Sequence, residues 1–154
     1  MNTLNLFSKV IFTDNLNLSD KDKTKLKQVV KKEKYKKVED KNSSCMSESL
    51  HVLDDNKLTK IKEKIIDAFI KFNKQVLKYN NDFEMTTCWS TRSSKNNYSH
   101  FHNHTNNFYS GVYYIDVDEN TGEIEFCDFS NNTFELNPTE YNIHNSKSWK
   151  FKPH

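Results

Sequence analysis

Residues 98–114 read YSHFHNHTNNFYSGVYY, and our prediction of the fold begins from this stretch. Three of the six histidines of the chain alternate in it, at His100, His102 and His104. Alternate side chains of an extended strand project to the same face, with Cα atoms about 6.6 Å apart. Two neighbouring histidines could thus bind one metal ion. Three imidazoles, or two with a carboxylate, suit iron(II) or another divalent ion in oxygen chemistry. The alternative interpretation is a polar strand face with ordinary surface histidines.

The second half of the chain has the composition of strands. Four segments are rich in aromatic or β-branched residues and are bounded by Asn, Ser, Asp or Gly, namely residues 84–92, 108–115, 123–129 and 148–152. We predict that they form an antiparallel β part.

The first half predicts a strand, a helix, a short strand and a second helix. Residues 4–12 have the composition of a strand. The lysine-rich stretch from Ser19 to about Lys41 predicts a short, solvated helix that is capped by Ser19 and frays into a loop. Residues 49–53 resemble a short strand. A long helix then begins near residues 54–56, and its apolar side chains recur every three or four positions at Leu58, Ile61, Ile65, Phe69, Phe72 and Val76. Such a helix packs one face on a sheet.

Composition excludes several classes of function. With 23 basic and 21 acidic residues, the chain lacks the basic excess typical of a nucleic-acid reader, so we interpret the lysines of residues 21–41 as a solvated helix face rather than a nucleic-acid arm. No apolar run approaches the roughly 18 residues of a membrane span, and no signal peptide begins the chain, so we expect a cytoplasmic protein. The three widely spaced cysteines fit neither a disulfide framework nor a zinc ribbon. Arg92 is the only arginine, against 22 lysines.

Almost the whole chain resembles a known family, and the most specific part of the resemblance lies between Trp89 and Phe126. The opening strand at residues 6–12 and the segment 49–55 before the long helix follow the family's order of elements. The residues that carry the resemblance are Trp89, His102, His104, Asn106, the run SGVYYI at 110–115, Gly122, Ile124 and Phe126. They are similar to the 2-oxoglutarate- and iron(II)-dependent oxygenases found in marine phages and bacteria. The resemblance implies a double-stranded β-helix, or jelly roll, with Fe(II) and 2-oxoglutarate as cofactors.

The resemblance also implies roles for single residues. In this family the first two metal ligands form a His-x-Asp or His-x-Glu pair and a distal histidine supplies the third. By analogy His102 and His104 occupy the pair, with His104 in place of the acid. His100 is then either a spare ligand or a residue that orients another ring. Tyr113 and Tyr114 would point to opposite faces of their strand, so that one of them meets the cosubstrate.

We therefore predict an α+β protein with one oxygenase-like jelly-roll domain, residues 1–154. Residues 1–82 are its strand and helical part, with the helices packed on the sheet, and residues 83–154 are its β part. The residues after Gly111 provide about three or four strands. We expect a jelly roll that is truncated at its C-terminus.

The predicted function is hydroxylation of a small-molecule or protein substrate by a 2-oxoglutarate- and Fe(II)-dependent dioxygenase. If the protein is viral, it would act in the host cytoplasm. The alternative is a non-catalytic jelly-roll protein, either a binding module or a virion-associated protein, with a structural or vestigial metal site. A cupin-like enzyme without 2-oxoglutarate ranks last, because Phe108 and Tyr109 occupy the positions where a Glu is expected.

Overall fold

The computed structural model describes residues 9–128, 139–143 and 145–153. The chain divides into two compact units, an N-terminal unit that ends at Asn103 and a C-terminal unit that begins at His104. In the described part of the chain, no helix combines the length and the apolar character that crossing a bilayer requires.

Helix α1 spans Asp20–Lys32 and begins as its sequence predicts. The Ser19 Oγ accepts a hydrogen bond from the backbone N–H of Asp22 at 3.2 Å, which satisfies one of the free N–H groups of the first turn. Acidic residues in the first turn and lysines in the last turn complement the helix dipole. The helix ends at Lys32, within the lysine-rich stretch, as predicted for a short helix, and its buried side chains are Leu26 and Val29.

Helix α2 spans Thr59–Phe72 and continues as a π-helical turn over Asn73–Leu77. Two 3-10 turns, Val52–Asp54 and Asn56–Leu58, lead into it, so the strand predicted at residues 49–53 is wrong. Hydrogen bonds from Asp54 N to His51 O and from Leu58 N to Asp55 O close these turns. The apolar stripe that predicted the helix buries Leu58, Ile61 and Phe72.

A three-stranded antiparallel sheet completes the N-terminal unit. Its strands are β1 (Tyr35–Lys37), β2 (Cys45–Ser47) and β3 (Thr91–Arg92), in the order β1-β2-β3. The β1–β2 pair lies between the two helices in sequence, and β1 occupies the part of the lysine-rich stretch that the sequence predicts as a loop. Only two residues of the predicted strand 84–92 belong to β3. Cys88, in the same segment, forms an isolated parallel bridge with His51.

The core of the N-terminal unit combines apolar side chains with hydrogen-bonded serines. Among residues 9–103, the eight buried hydrophobic residues are Leu18, Leu26, Val29, Val52, Leu53, Leu58, Ile61 and Phe72. Ser47 is fully buried, and its hydroxyl accepts from the Ser90 N–H and donates to the Ser49 carbonyl. The Tyr35 hydroxyl lies 2.7 Å from the Ser90 Oγ. These hydrogen bonds attach Ser90, which directly precedes β3, to Tyr35 of β1 and Ser47 of β2.

The C-terminal unit contains one strand pair in its described residues. Strands β4 (Ile124–Cys127) and β5 (Ser148–Phe151) are antiparallel, with Phe126 opposite Trp149. Both were predicted, although the predicted end at Phe129 lies outside the described residues. The strand predicted at residues 108–115 is wrong, because this segment is irregular and leaves Phe108 92% and Val112 66% exposed. Without a partner strand, β-favouring residues do not form a strand.

The α+β class is confirmed, because the described residues form two α-helices and two small antiparallel sheets. Residues 9–128, 139–143 and 145–153 do not by themselves form a barrel or a jelly roll. In the strand predicted at residues 4–12, residues 9–12 are irregular and residues 4–8 lie outside the described part.

Candidate metal centre

The alternating histidines do not lie on a strand. Residues 99–104 have no regular secondary structure, so the same-face argument from strand geometry is wrong for them. His100 and His102 belong to the N-terminal unit, and His104 is the first residue of the C-terminal unit.

Hydrogen bonds from the β1–β2 connection hold the backbone that precedes His100. The Tyr98 carbonyl accepts from the Ser44 N–H at 2.8 Å, and the Tyr98 N–H donates to the Asn42 carbonyl at 3.2 Å. Ser43 and Tyr98 form a parallel β-bridge. The Asn97 side-chain amide donates to the Asn42 carbonyl as well. The chain therefore enters the histidine segment from a fixed position beside residues 42–44.

The side chain of His100 lies beside the acidic residues Glu39 and Asp40 of the same β1–β2 connection. Its Nε2 lies 2.6 Å from the Glu39 Oε2, at the distance of an ion pair between two half-exposed side chains. The Tyr98 ring meets the imidazole edge-on, with ring centroids 4.7 Å apart. The Tyr98 hydroxyl donates to the Asp40 carboxylate at 2.8 Å. That hydrogen bond is the main reason why the pKa of Asp40 lies below its usual value, and it raises the pKa of Tyr98.

His102 is oriented by the backbone of His100. Its Nδ1 lies 2.8 Å from the His100 carbonyl oxygen. A carbonyl oxygen can only accept, so Nδ1 carries the proton, and in the neutral ring the lone pair is then at Nε2. A histidine that ligates a metal typically donates its other ring N–H to a carbonyl or a carboxylate in this way. His102 has the orientation of a ligand that would coordinate through Nε2.

The remaining predicted site residues lie in the C-terminal unit. The His104 carbonyl accepts a hydrogen bond from the Asn107 N–H at 3.4 Å. Tyr113 and Tyr114 are both half-buried, and burial raises the pKa of each hydroxyl. Since their segment is not a strand, the prediction that they point to opposite faces of a strand is wrong.

Sequence reasoning missed Glu39, Asp40 and Tyr98 as neighbours of His100. About sixty positions separate the two acids from the histidines, and the only local signal was a pair of acids after a lysine-rich run. The sequence assigns no role to the single guanidinium. Arg92 stacks over the ring of Tyr35, 4.2 Å from its centroid, as a cation–π pair.

The donor atoms near His100 have the chemistry that Fe(II) requires, namely imidazole nitrogens and carboxylate oxygens. His102 fits best, because its ring is already oriented by a backbone acceptor. Within the described ranges, however, no three His, Cys, Asp or Glu side chains are gathered into a group that could hold a metal ion. His144 and His154, the other histidines of the second half, lie outside those ranges.

Comparison with known proteins finds a match for the segment that contains these histidines. Residues 87–153 match the family model described as "Putative 2OG-Fe(II) oxygenase". This oxygenase match covers less than half of the chain and includes His100, His102, His104, β3, β4 and β5. Fe(II) and 2-oxoglutarate are the cofactors that the match implies, and it supports an oxygenase, hence oxidoreductase, function. No curated protein and no solved structure matches the chain.

Proposed function

We propose that the chain is a 2-oxoglutarate- and Fe(II)-dependent dioxygenase that hydroxylates a small-molecule or protein substrate. In this proposal His102 and His104 are metal ligands, and Tyr113 or Tyr114 contacts 2-oxoglutarate. The cofactors supply the oxidising chemistry, and the protein supplies binding and orientation. The jelly-roll fold typical of this family is part of the proposal.

The oxygenase match over residues 87–153 is the observation that carries the proposal. The hydrogen bond from His102 Nδ1 to the His100 carbonyl supports it independently, because it leaves the ring in the tautomer that a ligand needs. The antiparallel pair β4–β5 in the matched segment supports the fold.

The experiment is an assay for succinate formed from 2-oxoglutarate by the full chain, with Fe(II), oxygen and a panel of substrates. We expect succinate in amounts that depend on iron, and we expect His102→Ala to abolish it. His51→Ala is the matched control, since His51 lies in the N-terminal unit and pairs with Asp54 on the surface. Activity that survives His102→Ala, or no iron-dependent succinate with any substrate, would contradict the proposal.

A non-catalytic binding protein is the second candidate function. The observation that favours it is that the described residues gather no three-ligand group. For this function we expect no turnover with or without metal. Metal removal would then either lower the melting temperature, for a structural ion, or leave it unchanged, for a vestigial site.

A further inference from the structure

We infer that residues 23–37, named here the lysine surface, bind the phosphate backbone of double-stranded nucleic acid without reading its sequence. The lysine surface comprises α1 from Lys23 onward and β1, and it precedes the segment that matches the oxygenase family. The inference does not depend on the proposed oxygenase function. Total charge predicts no nucleic-acid partner, but the basic charge is concentrated on this one helix and the strand that follows it.

The lysine surface carries a high positive charge that the protein leaves unpaired. It contains eight lysines and one acid, Glu33. Lys25 pairs with Asp22, and Lys37 donates to the Ser43 carbonyl. Five lysines are exposed and have no hydrogen-bond or ion-pair partner among the described residues, namely Lys23, Lys31, Lys32, Lys34 and Lys36. Five ammonium groups are therefore available to an anionic partner.

The apolar side of α1 holds the lysine surface in the folded unit. Leu26 and Val29 are buried, and α1 packs against the 3-10 turn Asn56–Leu58. The Tyr35 hydroxyl donates to the Val30 carbonyl at 2.9 Å, which ties β1 to the helix. The lysines are thus presented by a folded surface, whereas a charge run in a flexible arm would lose conformational entropy on binding.

The spacing of the lysines suits a partner with a dense and regular charge. Lys23, Lys27 and Lys31 recur every four residues, so they follow one another along one side of α1. The helix rises about 14 Å from Lys23 to Lys32. Over that length a nucleic-acid duplex carries about eight phosphate charges, counted on both strands. A duplex can therefore offer a phosphate to each exposed lysine of the helix.

Two other classes of partner fit the lysine surface less well. An amphipathic helix binds a membrane by inserting its apolar side, but the apolar residues Leu26 and Val29 of α1 are buried in the protein. Protein interfaces depend on aromatic or apolar anchors, and no apolar residue between positions 23 and 37 is exposed. Charge without exposed apolar surface is typical of contacts with a phosphate backbone.

The same composition indicates a duplex that is bound without regard to its sequence. Single-strand binders stack bases on aromatic rings, but the ring of Tyr35 is covered by Arg92 at 4.2 Å. Arg92 is also the only arginine of the chain, so the bidentate recognition of guanine by arginine is not available to the lysine surface. Lysines contact phosphates as point charges, which carry no sequence information.

The test is fluorescence anisotropy of short labelled DNA duplexes of two unrelated sequences, titrated with the full chain at several salt concentrations. We expect equal affinity for both sequences. The logarithm of the association constant should fall linearly with the logarithm of the salt concentration, with a slope of about −4 to −5 for five phosphate contacts. Lys31→Gln/Lys32→Gln should weaken binding and make this slope shallower by about two.

Two further variants separate charge at this surface from other effects. Lys31→Arg/Lys32→Arg keeps both charges and should keep the slope. Lys147→Gln/Lys150→Gln is the matched control, because it removes two exposed lysines from the C-terminal unit and should leave the slope unchanged. Far-UV circular dichroism establishes that each variant is folded.

Several outcomes would overturn the inference. The duplex might not bind even at low salt, or the slope of Lys31→Gln/Lys32→Gln might equal that of the wild-type chain. Tighter binding of a single strand or of polyglutamate than of the duplex would assign the surface to another partner, as would binding of phosphatidylserine vesicles without binding of the duplex. The titration contains neither metal nor 2-oxoglutarate, so its failure would leave the proposed function untouched.

Discussion

The two units differ in how far they bury their apolar side chains. All eight hydrophobic residues that are buried in the described part of the chain lie in the N-terminal unit, and no described residue from His104 onward is buried. Phe108, Val112, Tyr141 and Ile143 are instead mostly exposed. Burial of apolar surface is the main favourable contribution to folding. We therefore assign most of the folding stability to the N-terminal unit.

The units differ in charge as well. Residues 1–103 contain 20 Lys and Arg against 13 Asp and Glu, and residues 104–154 contain 3 against 8. The near-neutral total is thus the sum of a basic part and an acidic part. Total charge, which we used to argue against a nucleic-acid partner, is a weaker guide for such a chain. The absence of a nucleic-acid partner stays a prediction.

The largest effect should come from the core of the N-terminal unit. Leu58 is 0% exposed, so Leu58→Ala should lower the free energy of unfolding by about 2–5 kcal/mol, through lost burial and a cavity. Urea denaturation followed by circular dichroism measures it. Leu50→Ala is the control, because Leu50 is 42% exposed. Equal losses in the two variants would contradict the assigned core.

A smaller effect should come from the buried serines. Ser47→Ala removes the hydroxyl that accepts from the Ser90 N–H and leaves that buried donor unpaired. We expect a loss of about 1–3 kcal/mol in the same denaturation experiment. Ser94→Ala, at an exposed position of the same unit, should change little. A Ser47→Ala chain as stable as the wild type would mean that the network contributes nothing to the core.

The C-terminal unit should be less sensitive to truncation of a large side chain. Phe126 meets Phe151 edge-on, with centroids 5.8 Å apart, but it is 42% exposed. Phe126→Ala should cost only about 0.2–1 kcal/mol, the range of a cross-strand pair. Hydrogen exchange of the β4 amides, with and without the substitution, measures it. A loss as large as that of Leu58→Ala would break the comparison between the units.

The smallest effect should be the acid sensitivity of surface ion pairs in the N-terminal unit. Hydrogen bonds from Lys71 and Lys62 lower the pKa of Asp14 and Asp54 below the usual 3.8. A lowered native pKa stabilises the fold above pH 3.8, and this stabilisation is lost as the pH falls through the lowered value. Urea midpoints should therefore fall with acidification, and less steeply in Asp14→Asn. An identical slope in that variant would show that the Asp14–Lys71 pair does not contribute.

The sequence predicted those elements whose signals are local. The Ser19 cap and the apolar stripe of α2 predicted both helices, and aromatic and β-branched composition predicted β4 and β5. Strands β1 and β2 are three residues each, which is too short for a periodicity to develop, and β1 lies within the lysine-rich stretch. Residues 108–115 were predicted as a strand on propensity alone, which pairing with a neighbour can override.

The sequence predicted the residues of the candidate site but not their tertiary contacts. The spacing of His100, His102 and His104 and the family resemblance are sequence features, and residues 87–153 carry the family match. The contacts of His100 with Glu39 and Tyr98 arise from tertiary folding of the β1–β2 connection. Separations of about sixty positions leave no mark in local sequence, so the environment of His100 emerged only from the structure.

The most direct test of the central claim is anaerobic titration of the full chain with Fe(II) and 2-oxoglutarate, because it needs no substrate. Chelation of protein-bound Fe(II) by 2-oxoglutarate produces a visible charge-transfer band. We predict that the band forms in the wild-type chain and in His51→Ala, and that it is absent in His102→Ala. A wild-type chain that forms no band, or a band that persists in His102→Ala, would contradict the account.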